Sequence, residues 1–164
     1  MNVTPIAIQD SELLLDLMDA DLLRPMFALS FPFSTTDLLW QELGAPCQRA
    51  LSPYAHSGRL LLAPSSVEEH RAALALAQQH PGLSLAECSV CCLAQANNWP
   101  MLAVCASLLR RRYSPPRPLY DLAWLLGQLV AQALVTKAGI VAAIKRLLAV
   151  NPRLQPCCAG LYHA

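Results

Sequence analysis

Residues 83–105 read LSLAECSVCCLAQANNWPMLAVC, and this stretch decides the fold. Ser84 and Glu87 have the spacing of a capping box, in which a hydroxyl serves a helix's orphan amide and a carboxylate reaches back from three residues on. Leu85, Cys88, Cys92, Leu93 and Ala96 then recur at helical spacing. Asn97 and Asn98 end the helix. Pro100 opens Met101-Leu102-Ala103-Val104, an apolar run suited to a central strand buried on both faces. The stretch is therefore a capped helix that feeds a buried strand, with Glu87 at its mouth and Cys105 at its far end.

The same alternation extends toward the N-terminus. Residues 3–8 form an apolar strand ending at Gln9-Asp10, and residues 11–19 form a helix with Leu13, Leu14, Leu17 and Met18 on one face. A short helix over 21–28 follows, then a strand over 29–34 (LSFPFS), which Pro32 makes irregular or places near an edge. Thr35 or Thr36 caps the next helix, which carries Trp40, Glu42 and Leu43 and stops at Gly44. Residues 46–57 read as a helix interrupted by Pro53. Residues 59–63 (RLLLA) make a third strand. Ser66 and Glu69 form another capping box, opening a helix that runs to about His80.

Beyond Cys105, residues 107–113 read as a helix rich in Leu and Arg. Ser114-Pro115-Pro116-Arg117-Pro118 is a stiff connector. A C-terminal helix pair spans 119–150: Leu119, Leu122, Leu126 and Leu129 line one face of the first helix, and Ile140, Ile144 and Leu147 line one face of the second. Asn151-Pro152 ends it, and the tail over 151–164 is expected to be irregular. Strands that alternate with helices imply an α/β, three-layer α/β/α sandwich around a central parallel sheet. The 164 residues suit one domain, 1–164.

Composition narrows the function classes. The chain is 55% hydrophobic and 14% charged, with a mean hydropathy of +0.36. That balance implies a large core, a buried oligomer interface, or both. A formal net charge of +1 gives no global field for nucleic acid. The first residues have no basic n-region or long apolar run, so no signal peptide is expected. The longest apolar tract is broken by Asp121, Gly127, Gln128 and Gln132 and falls short of a membrane span. The expectation is a cytoplasmic protein with no membrane partner.

Seven cysteines without an export signal do not suggest a disulfide framework. Cys88 and Cys91 could join Cys157 and Cys158 at a zinc ion, but without a second CxxC the reading is of buried, inert thiols. His56, His70, His80 and His163 have neither triad nor metal spacing. No Gly-rich phosphate loop is present, so nucleotide binding is not supported.

In open parallel sheets, sites collect at the carboxyl ends of the strands. Asp10 ends the first strand, Glu42 lies on the helix after the second, and Glu87 begins the helix leading into the fourth. Three converging carboxylates repel one another unless a cation neutralises them, and hard oxygen ligands suit Mg²⁺ or Mn²⁺. Each acid also has a structural reading: Asp10 as a helix cap, Glu42 as a solvated surface acid, Glu87 as a member of its capping box.

Taken in order, IAIQDSELLLDL, FPFSTTDLLWQEL, LSLAECSVCCLAQANNWPMLAV, RPLYDLAWLLGQLV and NPRL resemble the PIN-domain family, which includes the toxin ribonucleases of toxin–antitoxin pairs. The resemblance covers nearly the whole chain. It implies a PIN-like sandwich whose acids bind Mg²⁺ or Mn²⁺ and cut RNA, with an antitoxin protein as a partner. The family's first Asp falls on Asp10, followed by a small hydroxyl residue at Ser11. Its Glu falls on Glu42, and its later Asp falls on Glu87, one methylene longer. The last acid falls near Cys105, where neither the family's Thr nor its Asp is present. Asp10, Glu42 and Glu87 are therefore the expected catalytic and metal-binding residues, with Ser11, Arg110 and Arg111 positioning substrate and Cys105 marking a degenerate position. The alternative is a PIN-like binding or scaffold protein without nuclease activity. The apolar balance and the helix bearing Trp124 lead us to expect a homodimer.

Overall fold

A computed structural model of the chain describes residues 3–158. In chain order the elements are β1 (Ile6–Ile8), α1 (Ser11–Asp19), α2 (Leu23–Phe27), β2 (Phe33–Thr36), α3 (Asp37–Glu42), α4 (Gly44–His56), β3 (Leu60–Ala63) and α5 (Val67–Gln79). They continue with α6 (Leu85–Asn97), β4 (Met101–Leu102), α7 (Ala106–Arg110), β5 (Leu119–Tyr120), α8 (Leu122–Ala131) and α9 (Lys137–Val150). A 3₁₀ turn (Pro152–Leu154) and α10 (Gln155–Cys158) close the described chain.

Among the described residues the sheet has five strands in the order β3-β2-β1-β4-β5, all parallel. Alternate side chains feed two cores, as the period of a strand requires. Ile6, Ile8 and Leu102 join the core that holds Leu13, Leu17, Leu126 and Ile144. Ala7 and Met101 join the opposite core, with Leu83, Cys88, Val90 and Cys91. Helices therefore cover both faces, and the architecture is the expected three-layer α/β/α sandwich.

The boundaries depart from the sequence reading where backbone donors decide them. β2 starts at Phe33 rather than Leu29: Pro32 has no N–H to donate, and its carbonyl accepts from Ile6 N at 3.1 Å. The polar end of β2 is buried but satisfied. Ser34 Oγ donates to Leu61 O at 3.0 Å, Thr35 Oγ1 donates to Ile8 O at 3.2 Å, and Thr36 Oγ1 lies 2.6 Å from Ser89 Oγ. Thr36 caps α3. Gly44, at φ +73°, ends α3 and begins α4 directly, a left-handed conformation that favours glycine. Pro53 lies inside α4 without interrupting it. It sits on the solvent side one turn after exposed Arg49, where water can reach the carbonyl left without a donor.

The largest correction is β5. Residues 119–120 were expected to open the C-terminal helix pair, but they form a strand. Met101 N donates to Pro118 O and Ala103 N to Tyr120 O, each at 3.0 Å. α8 starts only at Leu122, because the Asp121 side chain accepts from Trp124 N at 3.1 Å and caps it there. The early tail is also ordered, as the 3₁₀ turn and α10; residues 159–164, including His163, lie outside the described residues. No helix among the described residues is long and apolar enough to cross a membrane.

Candidate functional site

The sheet order reverses between β1 and β4. Chain connections run outward from β1 through β2 to β3, whereas β4 and β5 lie on the other side. A crevice at the carboxyl ends of the two strands is the place where parallel sheets carry ligands. Asp10 lies at this point. Its extended backbone, φ −133° and ψ 151°, makes it the N-cap of α1, and Oδ1 accepts from Leu13 N at 2.8 Å. Oδ2 accepts from Val104 N at 3.1 Å, so the same carboxylate joins the ends of β1 and β4. Burial pushes Asp10 up to about 6 from the ordinary 3.8. The two amide hydrogen bonds pull the other way, and the charges of Glu87 and Glu12 add to the rise.

Glu87 is the third residue of α6. Its Oε2 accepts from Ser84 N at 2.8 Å while Ser84 Oγ accepts from Glu87 N at 3.1 Å, completing the capping box. Glu42, the last residue of α3, is exposed overall, but partial desolvation of its carboxyl, together with the charge of Glu87, raises it above the ordinary value. Glu87 therefore raises both other acids, but only Asp10 and Glu87 line the same cavity, and Glu42 lies outside its lining. Among the described residues, however, no group of three or more His, Cys, Asp or Glu side chains is arranged to hold a metal ion. Both Asp10 oxygens accept backbone N–H groups, and Oε2 of Glu87 is taken up by its own helix cap.

Asp10 and Glu87 line a cavity of about 150 Å³ at the strand ends, together with Gln9, Glu12, Val104, Cys105, Arg112, Arg153 and Cys157. Small-molecule sites commonly occupy about 300–1,000 Å³, so this is a small pocket. Cys105 takes the fourth position of the rim and is 8% exposed. Its sulfur lies 3.2 Å from Ser107 Oγ. Ser11 opens α1 and is partly buried. Of the arginine run, Arg112 lines the cavity, whereas Arg110 and Arg111 are exposed and outside it. The zinc alternative does not form: Cys88 and Cys91 lie in one core and Cys158 in the other, on opposite faces of the sheet.

Glu12 and Arg153 escaped the sequence reading, while Arg112 stood out only as part of the basic run Arg110-Arg111-Arg112 and Cys157 only as a candidate zinc ligand. Arg153 and Cys157 come from the returning tail, and no spacing to Asp10 announces them. Glu12 carried a signal, since it directly follows the strand-end pair Asp10-Ser11. No protein-family model matches the chain, and a comparison with curated proteins gives no match.

Proposed function

We propose that this chain is a PIN-like protein that has kept the family's fold and gives up its ribonuclease chemistry, acting by binding rather than by turnover. One observation carries the reading: both oxygens of Asp10 and Oε2 of Glu87 are engaged by backbone N–H groups. Acids used in this way serve as caps and clips. The position of the fourth acid holds a thiol, and two guanidinium groups, from Arg112 and Arg153, line the same cavity. The partner classes the resemblance implies, RNA and an antitoxin-type protein, are then binding partners.

A metal-dependent ribonuclease is the second reading. It is favoured by the charge of Glu87, which raises both Asp10 and Glu42 and which a divalent cation would neutralise. One experiment separates the two. Wild type and Asp10→Asn are incubated with structured RNA in millimolar Mn²⁺, and Mn²⁺ binding is followed by calorimetry. The binding reading expects no cleavage above buffer and no Mn²⁺ uptake dependent on Asp10. Cleavage by wild type that Asp10→Asn abolishes would establish the ribonuclease.

A further inference from the structure

The cavity brings together two thiols far apart in sequence. Cys105 is the N-cap of α7, at the end of β4, and Cys157 lies on α10. Both line the cavity, Cys105 buried and Cys157 partly exposed. Cys157 also packs against the core cluster that holds Cys105, so the two side chains share one cavity and one core. The neighbouring Cys158 is turned away into the core at 0% exposure. Cys88 and Cys91, also 0% exposed, belong to the opposite core.

We propose that Cys105 and Cys157 are a redox-active dithiol that closes to a disulfide on exposure to a peroxide, fixing the returning tail to the end of β4. The proposal holds whether or not the acids cleave RNA, because it uses neither them nor a metal.

The two thiols are unequal in the way the chemistry needs. Burial works against the Cys105 thiolate, but Cys157, the Ser107 hydroxyl and the N–H groups of Leu108 and Ser107 outweigh it and hold the thiol below its ordinary value. Burial, and then the neighbouring Cys105, push Cys157 up to about 12. Cys105 is thus the nucleophile and Cys157 the resolving thiol. The Cys105 thiolate attacks one peroxide oxygen, the O–O bond breaks and hydroxide leaves, giving a sulfenic acid. The Cys157 sulfur then attacks the Cys105 sulfur. The S–S bond forms, the S–O bond breaks, and the hydroxyl leaves with the Cys157 proton as water. Two thiols and one peroxide become one disulfide and two waters. By contrast, burial pushes Cys88 up to about 11 and raises Cys91 further, so the helix thiols are poor competitors.

The test uses the full, reduced chain treated with hydrogen peroxide, followed by free-thiol titration and non-reducing peptide mapping. The expected result is loss of two of the seven thiols, one peptide joining Cys105 to Cys157, and full reversal by dithiothreitol. In Cys157→Ser, oxidation should stop at a Cys105 sulfenic acid that a dimedone probe captures; in Cys105→Ser, Cys157 should remain reduced at the same dose. Far-UV circular dichroism checks that each variant is folded. A bridge between any other pair, an intermolecular bridge, or no bridge in the folded wild type would overturn the proposal.

Discussion

The Asp10 carboxylate accepts the Val104 amide at 3.1 Å, across 94 positions of sequence, while its other oxygen caps α1. One side chain therefore fixes where β1 hands over to α1 and how the end of β4 sits beside it. A structural carboxyl thus braces the strand ends at the crevice where a parallel sheet offers a ligand site.

Truncating this group should loosen the strand ends. Near pH 4, where the folded carboxyl is neutral, Asp10→Ala loses a helix cap worth about 1 kcal/mol and leaves a Val104 N–H unpaired at about 1–3 kcal/mol. A destabilisation of about 2 kcal/mol or more is expected in urea unfolding. An unchanged midpoint would show that Asp10 does not brace the fold.

The pH dependence has a definite sign. The folded Asp10 carboxyl binds its proton more tightly than the unfolded one, so folding takes up a proton between about pH 4 and pH 6. Its contribution is fully present below the unfolded value and is lost as pH rises through about 6. At 1.36 kcal/mol per unit, the span is about 3 kcal/mol. Carbon-13 NMR should place the Asp10 midpoint near 6. Glu87→Gln should lower that midpoint by removing a like charge, yet leave it above the ordinary range because burial remains. A midpoint at the ordinary carboxylate value would contradict the enclosure of Asp10.

Asn151 should behave as a clasp between α9 and α1. Its Nδ2 donates to Glu12 Oε1 at 2.7 Å and to Asp16 Oδ2 at 3.1 Å. Asp16 is only 7% exposed, so Asn151→Ala leaves a buried carboxylate without that donor, at a cost of about 1.5–3 kcal/mol. Asn151→Asp should be worse, because a third carboxylate replaces the donor. Chemical denaturation of both variants checks the order, and equal stability of Asn151→Asp and wild type would refute the clasp.

Trp124 has an internal role. It stacks on Tyr120 at 4.0 Å and on Phe31 at 5.6 Å between ring centroids, joining β5 and α8 to the segment before β2. Such pairs contribute about 0.5–1.5 kcal/mol each beyond area burial, so Trp124→Ala should cost at least about 1–3 kcal/mol and Trp124→Phe much less. The near-UV dichroism of the stacked rings should vanish in the alanine variant. A stable Trp124→Ala chain with altered self-association would instead place this residue at an interface.

Sequence alone determined what neighbouring residues settle among themselves. The Ser84–Glu87 and Ser66–Glu69 capping boxes, the Ser11–Asp19 helix and the alternation that makes a parallel three-layer sandwich were legible, because each partner lies within a few positions and each apolar period reports one face. Even the structural reading of Glu87 was present in its spacing. What tertiary structure decided is what depends on distant chain. β5 is only two residues long, and its apolar pair suits a helix equally well until β4 offers its amides. Asp10 could be read as a cap, but not as the acceptor of Val104 N. Residues 83–105 encode the helix and the strand by local rules; that the last of them, Cys105, shares a cavity with Cys157 follows only from the tail folding back across the strand ends. Local hydrogen bonds are encoded by residue spacing, whereas a site is encoded by which elements the two cores pull together.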